Sequence, residues 1–224
     1  MAKLPSNIRL VNFPSDEWFK EEHTKTQIYL HHSAGRGDAE RIFKYWDVDR
    51  RGRIATCIGI SSGNDGGKDG EIVQGFSSKY WGYHLGLRNG DFRRNGLNYI
   101  DLNKTSIGIE ICSWGSLEYR DGKYYSWAKA EVPADQVDHL ETPFRNIVHF
   151  HKYTQKQIDS VCALLLYWKD RYGIDITYKP ENFWEISKDA LKGKNGLYSH
   201  AAVRYDKSDV YPSEALISAL KNIS

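Results

Sequence analysis

The apolar positions of this chain fall into short β-rich runs divided by polar, glycine-rich stretches, and they turn helical in three places. In Gln27-Ile28-Tyr29-Leu30-His31-His32 the alternation puts Ile28 and Leu30 on one side of a pleated strand and Tyr29 and His31 on the other, so His31 and His32 point to opposite faces. Residues 54–60 read as a second strand, the Gly-, Asn- and Asp-rich stretch 61–70 must turn, and residues 71–76 return as its hairpin partner. Ser106-Ile107-Gly108-Ile109-Glu110-Ile111 is an apolar strand interrupted by one acid, and the lead-in over 1–24 holds the edge-strand patch Ile8-Arg9-Leu10-Val11. Asp38 caps a short helix in which Ile42, Tyr45 and Trp46 share a face. A capping box, Thr154-Gln155-Lys156-Gln157, opens a longer helix with Ile158, Val161, Cys162, Leu165, Trp168 and Tyr172 at three- and four-residue steps and Gly173 as its stop. Pro212-Ser213-Glu214 opens the last helix, with Leu216, Ile217 and Leu220 inward. The aromatic segment 77–99 reads as an extended loop over a cleft. Residues 113–152, centred on the Asp121-Gly122 turn and broken by Pro133 and Pro143, read as an insertion made of a hairpin or long loop. The expected fold is α/β, a central mixed β-sheet flanked by α-helices with a cleft at the strand ends.

Composition narrows the class. The 224 residues, 40% hydrophobic and 27% charged, suit one elaborated globular domain over 1–224. Lys and Arg total 31 against 29 Asp and Glu, interleaved without blocks, so a nucleic-acid partner is not expected. No apolar run approaches a membrane span, and Met1-Ala2-Lys3-Leu4-Pro5 lacks the apolar core of a signal peptide; a protein that is cytoplasmic as made, without membrane insertion, is the expectation. Cys57, Cys112 and Cys162 are widely spaced among apolar neighbours, which predicts buried thiols and no disulfide framework. A monomer is expected.

Candidate chemistry sits at two stretches. One histidine of the His31-His32 pair, delivered by a buried strand, is a candidate metal ligand. Downstream, His200 and Asp209 are far enough apart for a loop to fold back and bring imidazole and carboxylate to one ion, with Lys207 two positions before Asp209 on the same side of an extended segment. Two nitrogens and one oxygen leave a fourth tetrahedral position open, the arrangement of a catalytic zinc site. Glu110 lies among isoleucines on the opposite face of its strand and needs either a structural partner or a task as general base. His149 and His151 alternate along the chain, so a second metal pair is conceivable there, with an exposed or hydrogen-bonded role as the alternative.

In this order along the chain, the segments Lys25 to Gly35, Trp81-Gly82-Tyr83-His84-Leu85-Gly86, Ser106 to Ile111, and His200 with Lys207 and Asp209 resemble the zinc-dependent N-acetylmuramoyl-L-alanine amidases of type 2, which share their fold with the peptidoglycan recognition proteins. The resemblance spans about 25 to 212. It implies one zinc ion held by His31, His200 and Asp209, Glu110 as general base and Lys207 as oxyanion donor, and a substrate cleft bordered by His84, Trp81 and Tyr83. The implied substrate is peptidoglycan, cut between N-acetylmuramic acid and L-alanine. A phage endolysin, held in the host cytoplasm until a holin opens the membrane, would reconcile a wall substrate with the missing signal peptide. No separate wall-binding repeat is seen. The competing expectation is a non-catalytic peptidoglycan-binding module of the same fold; such relatives typically lack a third ligand, so Asp209 weighs against it.

Overall fold

The computed structural model describes residues 4–35, 37–63 and 67–224. Residues 1–3 of the lead-in, Arg36 in the break after the first histidine strand, and 64–66 in the turn expected over 61–70 lie outside the described residues. In chain order the strands are β1 (Ile8–Leu10), β2 (Gln27–His32), β3 (Ile58–Ile60), β4 (Ile72–Gln74), β5 (Ser106–Ile111), β6 (Glu118–Arg120), β7 (Lys123–Tyr125), β8 (Glu131–Val132), β9 (Val137–Phe144), β10 (Ile147–His151) and β11 (Gly196–Ser199). The helices are α1 (Ala39–Asp47), α2 (Asn89–Arg93), α3 (Leu102–Thr105), α4 (Gln155–Tyr172), α5 (Lys188–Leu191) and α6 (Glu214–Asn222). The central sheet runs β1-β4-β3-β5-β2-β11, and its neighbours are parallel except for the antiparallel hairpin β3–β4. The expected mixed α/β sheet is what the chain forms.

Register decides what each face of the sheet carries. In parallel pairs, residues opposite one another project to the same side. Ile28 pairs with Ile107 and Leu30 with Ile109, giving an apolar face whose core continues into Ile158, Val161, Leu165 and Trp168 of α4 and Leu216 and Leu220 of α6. The other face holds Gln27, Tyr29 and His31 beside Ser106, Gly108 and Glu110. That face is covered in two pieces. Toward β3, Gly59 lets α1 settle on the sheet, since a Cβ there would stand 3.0 Å from the Ala39 Cβ. Toward β11, Tyr29 and Tyr198 pack with Leu85, Phe92, Leu102, Leu191 and Val203 in a separate cluster. His31 and Glu110, adjacent at the strand ends, fall between these two coverings.

Local signals explain the helices. Thr154 and Gln157 complete the capping box of α4, and Gly173 ends it at φ +67°, a conformation that favours glycine. In α1 the inward residues are Ala39, Phe43 and Trp46, while Tyr45 is 64% exposed. The face expected through Tyr45 is therefore rotated, because the four- and three-residue steps of Ala39, Phe43 and Trp46 carry more apolar area into the core. The strand expected over 54–60 narrows to β3: the Thr56 hydroxyl donates to the Ile58 carbonyl, and Ile54 bridges to Tyr83 in the loop instead.

Residues 113–152 are more ordered than a long loop. β6, β7 and β8 form a three-stranded antiparallel sheet whose first turn, Asp121-Gly122, has both residues at positive φ, as a tight type I′ hairpin requires. β9 and β10 form a second antiparallel pair. Pro143 lies inside β9 without breaking it, since β9 pairs on one side only. Among the described residues no helix is long and apolar enough to cross a membrane.

Lys25, 1% exposed just ahead of β2, points its ammonium at the Lys104 carbonyl 2.7 Å away. Burial lowers its pKa from 10.5 to about 8. Between those values the unfolded chain keeps a proton that the folded chain has released, so this group makes stability rise with pH across that window. Urea unfolding at pH 7.5 and pH 10 is expected to show the parent gaining stability relative to Lys25→Met as pH rises; a constant difference would contradict it.

Candidate active site

The two adjacent histidines part as the pleat demands. His32 turns to the apolar side, its Nδ1 3.1 Å from the Tyr153 hydroxyl. Its ring occupies space that only a glycine at 115 leaves free, for a Cβ there would stand 2.5 Å from the His32 Nε2. His31 turns to the cleft. β11, parallel to β2, ends where His200 begins, and the chain then loops out and returns, closed by the Ala201 N–H donating to the Asp209 carbonyl at 2.8 Å. This brings His31, His200 and Asp209, all buried, to one point. The Nδ1 atoms of His31 and His200 are 3.0 Å apart, and the Asp209 Oδ2 is 2.9 Å from His200 Nδ1 and 3.3 Å from His31 Nδ1.

What surrounds the triangle fixes which atoms face inward. The Leu85 carbonyl, 2.9 Å from His200 Nε2, can only accept, so that nitrogen carries the proton and the Nδ1 lone pair faces the centre. His31 Nε2 lies 3.0 Å from His84 Nδ1, and His84 Nε2 lies 2.8 Å from the Ser106 hydroxyl. With His31 donating to His84 and His84 to Ser106, His31 also turns its Nδ1 lone pair inward. One dipeptide, His84-Leu85, thus holds both ring N–H groups, and it is itself clamped. The Asn103 side-chain carbonyl accepts from the His84 and Leu85 N–H groups at 3.0 and 3.1 Å. Gly108 makes room beneath, where a Cβ would stand 3.0 Å from His84 Nδ1.

Electrostatics agree with this arrangement. Burial and the neighbouring His200 lower the His31 pKa to about 4, against the pull of Asp209. Neutral imidazoles and an ionised carboxylate are the forms that bind a metal ion. Three acceptor atoms pressed together repel one another unless a cation lies between them. Tetrahedral bonds of about 2.0–2.1 Å would space ligand atoms about 3.3 Å apart, close to the triangle found here.

Glu110 stands beside His31 across the β2–β5 ladder. Burial and the nearby Asp209 charge push its pKa up to about 8, while Lys207 pulls the other way. Lys207 is partly buried, and its charge is felt at both Glu110 and His31. The aromatic pair packs against the lead-in segment. Trp81 is buried, its ring stacked on Phe19 with centroids 3.8 Å apart, and Tyr83, 41% exposed, meets it edge-on. His149 and His151 are not brought together: the His151 Nδ1 accepts from the Trp114 N–H, and His149 meets His139. Sequence reasoning missed Asn103, Ser106, Gly108 and the Leu85 carbonyl. For β5 the signal was available, since Ser106, Gly108 and Glu110 alternate on the face that carries His31.

Fold and site together define an α/β protein with two histidines and an aspartate placed to hold a metal ion beside a glutamate and a lysine. The chain belongs to the N-acetylmuramoyl-L-alanine amidase family, whose model matches residues 22–212. It is an amidase that acts on peptidoglycan. Among solved structures it is similar to PlyL (14% identity, 97% of this chain and 98% of that one covered, TM-score 0.52). It is also similar to the N-acetylmuramoyl-L-alanine amidase LysC from Clostridium intestinale URNW (16% identity, 99% and 100% covered, TM-score 0.51). A mutant endolysin from Bacillus subtilis aligns at 15% identity, with 96% of each chain covered and a TM-score of 0.51. At these identities the likeness is one of fold. No curated protein matches the chain.

Asn103→Ala would leave two N–H groups of the His84-Leu85 clamp without their acceptor. The expected cost is about 1–3 kcal/mol of stability in urea unfolding, with weaker retention of a divalent ion. An unchanged unfolding midpoint would show that the clamp is dispensable.

Proposed function

We propose that the chain hydrolyses the amide between N-acetylmuramic acid and L-alanine with one zinc ion held by His31, His200 and Asp209. The observation that carries this reading is the convergence of two imidazole nitrogens and a carboxylate oxygen, 2.9 to 3.3 Å apart, beside Glu110 and Lys207. Two nitrogens and one oxygen suit zinc and leave a fourth position for water or substrate. Zinc bound there supplies a Lewis acid that polarises the scissile carbonyl and lowers the pKa of water to about 7.

The protein's own groups do the rest. Glu110, made more basic by burial, accepts the proton of the attacking water and passes it to the departing amine of L-alanine. Lys207 donates to the oxyanion that forms as the carbonyl becomes tetrahedral. His84 holds the ring of His31 from behind, and Tyr83 offers the substrate an exposed aromatic face supported by Trp81. The likeness in fold to the endolysin described above supports a lytic role for a phage-type enzyme, released onto the wall of its host.

The reading is tested by incubating the protein with isolated peptidoglycan, with and without a chelator, and assaying newly exposed N-terminal L-alanine. The expected result is release that stops with chelator and returns with zinc; wall binding without new amines would overturn it. Lys207→Ala is expected to keep one equivalent of zinc while kcat falls about 100- to 1000-fold. Full turnover in that variant would remove Lys207 from the mechanism.

A further inference from the structure

Away from the cleft, a second pair of imidazoles meets nitrogen to nitrogen. His139 on β9 and His149 on β10 are cross-strand partners, and their Nδ1 atoms lie 3.2 Å apart. In the cleft, the Nδ1 atoms of His31 and His200 are 3.0 Å apart, so the molecule repeats at its surface the nitrogen spacing of its buried site. Two imidazoles binding one ion at about 2.0–2.1 Å stand about 3.2 Å apart when the angle at the ion is near 100°.

The pair is built for chelation in two further respects. Partners on antiparallel strands project to the same face, and the backbone ladder fixes their separation before any ion arrives. The ring of His149 is steadied by Tyr124, edge-on at 5.0 Å between centroids, and by Tyr119 at 5.8 Å. His139 is exposed and His149 half-buried, so an ion can reach both nitrogens and water can complete its coordination.

We propose that His139 and His149 form a second, surface metal site for a late first-row divalent ion, with Cu²⁺ held most tightly. Paired imidazoles suit these ions, and affinity for nitrogen sites rises along the series to copper. An ion bound there ties β9 to β10 and stiffens the hairpin. The site is independent of the reading given to the cleft.

The test is a Cu²⁺ titration of the untagged, metal-stripped full chain, followed by calorimetry, for the parent, His139→Ala and His149→Ala. The parent is expected to bind one equivalent more than either variant, with release of L-alanine from peptidoglycan in both variants equal to that of the parent. Equal stoichiometry in all three would overturn the proposal and leave the pair as a hydrogen bond between neutral rings. A second measurement separates surface from cleft and needs no stoichiometry. On an immobilised Cu²⁺ column, which the buried residues of the cleft do not reach, the parent should require severalfold more imidazole for elution than either variant. Co-elution of parent and variants would overturn the proposal, and so would elution of the folded parent without retention.

Discussion

The structure depends on a requirement that two imidazoles show the same nitrogen, without its proton, to one buried point. An imidazole freed of that constraint would turn its ring or shift its proton, and the pocket would present a donor where a ligand is needed. Here the constraint is met from outside the triangle. The Leu85 carbonyl takes one outer N–H, the ring of His84 takes the other, and Asn103 pins the backbone that supplies both. Burial then keeps the His31 imidazole neutral.

The sheet makes this arrangement possible by dividing its labour between faces. Isoleucines and leucines of β2 and β5 build a core with α4 and α6 on one side. That core fixes the strands whose other side carries His31, Glu110, Gly108 and Ser106. A one-residue slip of β2 would send His31 into the core and His32 into the cleft, so the apolar face enforces the register on which the chemistry rests. On the opposite face α1 covers the sheet toward β3 and the cluster around Tyr29 covers it toward β11, with His31 and Glu110 at the strand ends between them.

Much of this was legible beforehand for physical reasons. The alternation in Gln27 to His32 and Ser106 to Ile111, the Thr154 capping box and the Gly173 stop each have a local cause, and each appears where it was expected. The convergence of His31, His200 and Asp209 was legible as motifs in order, and the parallel pairing of β11 with β2 shows how residues so far apart in sequence meet. What escaped was set by tertiary context. Tyr45 and Phe43 are both plausible inward residues of α1, and the shape of the sheet at Gly59 chooses between them. Pro143 reads as a breaker until β9 proves to be paired on one side only. The support of the site by Asn103 and the Leu85 carbonyl runs through backbone groups, which leave no trace in residue type.

The most direct test of the central claim is anomalous diffraction at the zinc edge from crystals of the zinc-loaded protein. The account predicts one strong peak in the cleft, about 2.0–2.2 Å from His31 Nδ1, His200 Nδ1 and an oxygen of Asp209, with the outer nitrogens of both rings still engaged. A peak ligated through Nε2 of either histidine, or no peak in the cleft, would contradict it.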